Sequence, residues 1–185
     1  VNPAFHNKVL AAWHGMMIAA LADAAAVFVE QHWLTAALSA FAFVCHEMQQ
    51  DGRLLHSWRD GRARHTAMLD DYAMMIRAAL ALHEATGDDT FLEQAKRWVS
   101  VADARYWDDT NGGYFFTADD AETLIVRSKT AIDGAMPNGN GTMAANLARL
   151  HYLTGDDLYR ERAEAIVKAF AGEVATRGIG MATLL

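Results

Sequence analysis

Residues 133–150 read DGAMPNGNGTMAANLARL. Gly134, Gly139 and Gly141, with Asn138 and Asn140, stand at the mouth of a segment that otherwise reads as buried apolar helix. Such residues fill a core poorly and expose backbone donors and short polar side chains well. Similar chemistry recurs at Trp13 and His14, at His56, Trp58, Arg59, Arg62 and His65, at Asp70, Asp71 and Tyr72, and at Arg127, Lys129 and Asp133. Aromatic faces beside carboxylates, amides and guanidinium groups suit a sugar-sized ligand, which presents C–H faces and many hydrogen-bonding edges. The chemistry on offer is proton transfer. His14, His65, Asp71 and Asp133 are the catalytic candidates, and Trp13, Trp58, Tyr72, Arg127, Asn138 and Asn140 the substrate-binding ones.

Each has a plainer alternative. Asp70 or Asp71 can cap a helix, and Asp133 can cap or shape a turn. Arg127 and Lys129 can serve as partners for these acids. The histidines can be packed or solvated, and Trp13 and Trp58 can belong to the core. No metal site is expected: the eight histidines form no i,i+4 pair, and one cysteine cannot build a thiolate site. No dinucleotide or phosphate-binding glycine motif and no nucleophile elbow is present, so no cofactor is expected. Glycoside hydrolysis needs two acids flanking the bond, for which Asp71 and Asp133 are the available pair.

The elements that must position these residues are repeated. HEATGDDTFLEQAKRWV (83–99) and HYLTGDDLYRERAEAIV (151–167) match at a constant offset of 68, with a weaker copy from Trp33. In each strong copy, Thr-Gly-Asp supplies a glycine that ends one helix and an aspartate that caps the next. The helix after the turn is amphipathic. Phe91, Leu92, Ala95, Trp98, Val99 and Ala102 form one stripe; Tyr159, Ala163, Ile166, Val167 and Phe170 form the other. The preceding helices, near 9–29, 72–82 and 142–153, are apolar almost all round and therefore enclosed.

This alternation predicts an all-α partial α/α toroid of three helical hairpins, half of an (α/α)6 barrel, as a single array over 1–185. The inner helices run parallel, so their N-termini and the segments leading into them collect at one mouth, where helix dipoles favour hydroxyl-rich or negative ligands. Residues 52–65 and 112–127 each read as a β-hairpin rimming that mouth.

The 185 residues are 52% apolar and 21% charged, enough for a core. With 23 acidic against 16 basic residues and a net charge of −7, no nucleic-acid partner is expected. The longest apolar runs, 16–22 and 24–29, are split by Asp23 and shorter than the roughly 20 residues of a bilayer span, so no membrane partner is expected either. Cys45 is the only cysteine, which fits a reducing, cytoplasmic setting. The start, VNPAFHNK, lacks the pattern of a signal peptide and a leading Met, as expected of a processed chain or fragment.

Three ordered segments, NKVLAAWHGMMIAALA (7–22), MLDDYAMMIRAALALHEATGD (68–88) and DGAMPNGNGTMAANLARLHYLTGD (133–156), resemble the C-terminal region of the thioredoxin-domain-containing, spermatogenesis-associated family. The resemblance implies an (α/α)6 barrel related to those of N-acylglucosamine 2-epimerase and the six-hairpin glycosidases, hence carbohydrate chemistry. The family's Trp-Asn-Gly stands here as Trp13-His14-Gly15, and its Pro-Ser-Gly-Asn-Ser as Pro137-Asn138-Gly139-Asn140-Gly141, without either hydroxyl. Two readings remain open: a sugar-binding or sugar-isomerising pocket, and a non-catalytic scaffold partnered with a thioredoxin-like domain. The helix over residues 34–45 carries no charge, so a second copy of the chain or another domain is expected to cover it.

Overall fold

The computed structural model describes residues 8–121 and 126–185, so the N-terminal segment and part of the second expected hairpin lie outside the described residues. Three helical hairpins follow one another. The inner helices are α1 (Ala11–Phe28), α3 (Leu69–Thr86) and α5 (Gly139–Thr154), and the outer ones α2 (Gln31–Glu47), α4 (Asp89–Tyr106) and α6 (Asp157–Arg177). α3 is central, with α1 on one side, α5 on the other and α4 behind it. It is enclosed as its sequence demands: Tyr72, Met74, Met75, Ile76, Leu80 and Leu82 are inaccessible to solvent.

The two strong repeats fold identically at their turns. Gly87 and Gly155 adopt φ 70° and 72°, the left-handed conformation that ends α3 and α5, and their N–H groups donate to His83 and His151. Asp88 and Asp156 then accept from Thr90 and Leu158, capping α4 and α6. The α1–α2 turn lacks this motif, and Val29 takes the left-handed conformation at φ 58°, a poor choice for a β-branched residue.

α4 buries Ala95, Trp98, Val99 and Ala102, the expected stripe. On α6, Ile166 and Phe170 are buried, but Val167 is half-exposed beside Ala144, Ala145 and Ala148 of α5 in an open groove. On α2, Leu38 packs against the core, whereas Trp13, Met17, Val27 and Phe28 of α1 are exposed. With a mean hydropathy of 1.4 over 18 residues, α1 is long and apolar enough to cross a membrane, more than its two apolar runs suggest; here it packs on α2 and α3.

A small antiparallel sheet lies at the mouth. Its centre is β3 (Arg53–Arg59), flanked by β4 (Arg62–Thr66), with β1 (Val9–Leu10) and β2 (Gln49–Gln50) pairing the same strand. The β3–β4 turn is the expected Asp-Gly, both residues at positive φ. The second expected hairpin does not form strands among its described residues. Trp107 and Tyr114 make one bridge, and the Phe116 N–H donates to Ser128, while side chains pin the rest. The Asp108 carboxylate accepts from the backbone of Thr110 and Asn111 and pairs with Lys129.

The common direction of the inner helices follows from contacts at their first turns. Asp71 of α3 accepts the N–H of Ala12 at the start of α1, and Asp70 lies against Gly139 at the start of α5. Midway along, α1 and α3 touch backbone to backbone: a Cβ on Gly15 would fall 2.6 Å from the Met74 carbonyl carbon. Gly15→Ala is therefore expected to destabilise the fold by about 2–3 kcal/mol in urea denaturation. The same substitution at Gly172 of α6, where nothing lies within 4 Å, is expected to stabilise by up to about 1 kcal/mol.

Candidate functional site

Two adjoining cavities open where the inner helices begin. The larger, about 370 Å³, is lined by Trp13, Asp70, Phe116, Thr130, Met136 and the Asn138–Asn140 turn among others. The smaller, about 170 Å³, shares Trp13, Asp70, Phe116 and Met136 with it and adds His56 and Asp71. The loop carrying Phe116 is fixed to α3 by the Leu69 N–H, which donates to the Phe116 carbonyl.

Asp71 is 1% exposed and surrounded by donors. Its Oδ1 accepts from the Ala12 N–H at 3.0 Å, and its Oδ2 from the Met68 N–H and from His56 Nδ1, both at 2.9 Å. The first bond satisfies an orphan donor of α1 and the second completes a capping box on α3. The third orients His56. His56 is drawn toward its protonated form, its pKa raised by the hydrogen bond to Asp71 against the opposing effect of burial.

Asp70 is the neighbour in sequence and the opposite in environment. Burial first, and then the charge of Asp71, push its pKa up to about 6, against the stabilising hydrogen bond from the Gly139 N–H. Gly139 is required at this contact, since a Cβ there would lie 2.5 Å from Asp70 Oδ1.

The remaining polar residues brace the walls. Asn138 caps α5 by accepting from Gly141 and donates its side-chain amide to Asp133. Asn140 spends its amide on the backbone of Tyr114 and Thr130. Asp133 accepts from the N–H groups of Asn138 and Thr183; burial would raise its pKa, but these bonds prevail and hold it at about 2. Arg127 donates to the Thr117 and Arg105 carbonyls and lies 4.3 Å over the Phe115 ring. Tyr72 is in the core, its hydroxyl accepting from Leu54 and its ring against Tyr106. Trp58 packs edge-on against Phe43. His14 bonds back to the Leu10 carbonyl. His65, exposed at φ 64°, lines a separate surface depression with His56.

The structure therefore brings Trp13, Asn138, Asn140 and Asp71 to the basin, with Asp133 bonded just behind it. Tyr72, Trp58, His14, His65 and Arg127 do not line these cavities. Two residues that the sequence places only in the neighbourhood prove central: Asp70, and His56 through its bond to Asp71. One signal for the division between the acids is visible in retrospect. An acid three residues after a helix cap reaches back to the cap, and Asp71 holds that position after Met68.

Asp70 supplies a signed prediction. Its folded pKa of about 6 lies above the 3.8 of a free aspartate, so the native state binds the extra proton between about pH 4 and 6 and loses stability as pH rises through that window. Asp70→Asn should match the wild type below pH 4. At pH 7–8 it should be more stable by about 1 kcal/mol, after solvent screening, in urea denaturation.

No protein-family profile matches the chain. Spermatogenesis-associated protein 20 of Rattus norvegicus is 34% identical over 176 residues, covering 89% of this chain and 22% of that protein. The chain thus spans less than a quarter of the curated relative. Among solved structures, cellobiose 2-epimerase from Spirochaeta thermophila superposes with a TM-score of 0.74 at 19% identity, over 91% of this chain and 44% of that one. A GH76 α-1,6-mannanase of Salegentibacter, in an inactive variant with two consecutive aspartates changed to asparagine and in complex with α-1,6-mannotriose, gives 0.69 at 17% identity, over 90% and 47%. The chain is similar in sequence to a limited stretch of spermatogenesis-associated protein 20, and it has the fold of (α/α)6 barrels over less than half of their length.

Proposed function

We propose that the mouth of the inner helices binds a sugar and moves a proton on it, in the manner of a sugar isomerase or epimerase. One observation carries the reading: an exposed indole, Trp13, and a half-buried carboxyl with a raised pKa, Asp70, line the same cavity of about 370 Å³. Trp13 offers a face to the C–H side of a pyranose, and Asp70 titrates near neutral pH, as an acid–base group must. Asp133, Asn138 and Asn140 shape the wall, and Asp71 supports the chemistry from behind it.

The two solved neighbours are an epimerase and a mannanase, and the arrangement of the acids favours the first chemistry for this chain. The mannanase is inactive when its consecutive aspartates are changed, and of the five Asp-Asp pairs in this chain one, Asp70-Asp71, stands at the mouth. A glycosidase needs two carboxyl groups free to flank the bond. Here Asp71 is committed to three internal donors and Asp133 to the Asn138 and Thr183 amides, which leaves Asp70 as the available carboxyl in the basin among the described residues. One free acid beside a histidine favours proton transfer at carbon over hydrolysis.

The test is a titration of the protein with D-mannose, D-glucose, cellobiose and α-1,6-mannobiose, followed by the Trp13 indole signal and, in the variant, by the Gly139 amide signal in NMR. Saturable shifts are expected for at least one sugar, weakened about tenfold or more by Trp13→Ala. No response to any of the four would contradict the site, and release of free mannose from the mannobiose would contradict the isomerase reading.

A further inference from the structure

We infer that His56 and Asp70 form a two-group proton-transfer pair in the smaller cavity, with Asp71 as the residue that positions His56. The inference rests on the sugar-binding reading above and names the groups that would do its chemistry.

Three observations support it. First, His56 comes from β3 and Asp70 from the first turn of α3, yet both line one cavity of about 170 Å³ under Trp13. Second, His56 is held by one ring nitrogen. Nδ1 lies 2.9 Å from Asp71 Oδ2, and each Asp71 oxygen already accepts a backbone N–H, the arrangement of an acceptor rather than of a donor. Nδ1 then carries the hydrogen, and in the neutral ring Nε2 carries the lone pair. Nε2 has no hydrogen-bond partner among the described residues and is not among the buried unpaired atoms, so it is open to a ligand. Third, the titratable groups around His56 are Asp71 on α3, Asp70 one residue before it, Lys8 ahead of β1 and, in the separate surface depression, His65 of β4. This is the nucleophile-free half of a familiar arrangement, an imidazole oriented by a buried carboxylate.

The step they fit is proton removal beside a sugar carbonyl. In an open-chain aldose, the Asp70 carboxylate takes the proton from C2 and the C2–H electron pair becomes the C1–C2 double bond. The carbonyl π pair moves to oxygen, which takes the Nε2 proton of the His56 imidazolium, the form that the bond to Asp71 favours. The products are an enediol, a neutral imidazole and a carboxylic acid, so charge and atoms balance without any oxidant or co-reactant. Return of a proton to C2 on the other face gives the epimer, and return to C1 gives the ketose.

The test combines a structural and a chemical readout. Ring ¹⁵N NMR of His56 in the wild type, above its titration, is expected to show a proton on Nδ1 and a bare Nε2, a signature lost in Asp71→Asn. A proton on Nε2 instead would overturn the inference. The wild type is then incubated with D-mannose, D-glucose and cellobiose in D₂O while binding is followed through the Trp13 signal. Exchange of the C2 hydrogen for deuterium is expected, falling at least a hundredfold in His56→Gln and in Asp70→Asn with binding retained. Asp71→Asn should lower the exchange rate at saturation more than it changes the half-saturating sugar concentration. Binding without exchange, or exchange that survives His56→Gln, would overturn this inference and leave the sugar site standing. Absence of binding would remove the site and this inference together.

Discussion

The arrangement of the mouth depends on the buried carboxylate of Asp71. Ionised groups are costly to bury unless donors meet them, and three do, from α1, from the cap of α3 and from β3. Because one of these donors is an orphan N–H in the first turn of α1, α1 and α3 must begin at the same end. Because another is His56, the small sheet is tied to that end as well. A single side chain thereby settles where three elements meet, and it can do so only while it stays out of the solvent.

The neighbouring acid is left free by the geometry of the helix. Successive residues point about 100° apart, so once Asp71 faces α1 and β3, Asp70 must face α5 and the basin. There it meets the backbone of Gly139 at a distance no other residue type would permit. The polar wealth of residues 133–150 is explained by the same economy of irregular backbone. Asp133, Asn138 and Asn140 replace the missing ladder hydrogen bonds of the loops that wall the basin.

The helical hairpins are legible in the sequence because their cause is local. The Thr-Gly-Asp turns and the stripes of α4 repeat whatever the tertiary context. The Asp60-Gly61 hairpin is legible for the same reason. The site is less so. Asp70 and Asp71 are indistinguishable as letters, and their roles separate only when α1 arrives beside α3. The bond between His56 and Asp71 spans a hairpin and leaves no spacing signature. Residues 112–127 have the alternation of a hairpin, yet the described part is held by the Asp108 and Asn140 side chains. α1 leaves Trp13, Met17, Val27 and Phe28 exposed, and its uniform apolarity hides which side will be left without a neighbour.

The most direct test of this account is amide hydrogen exchange at Ala12 in the wild-type protein. As the second residue of α1, its N–H has no partner within the helix, so any protection must come from Asp71. Exchange far slower than that of an open peptide is the predicted result. Exchange at the rate of an unstructured chain, with the rest of α1 protected, would show that the carboxylate is not bound there and that the mouth is held together in some other way.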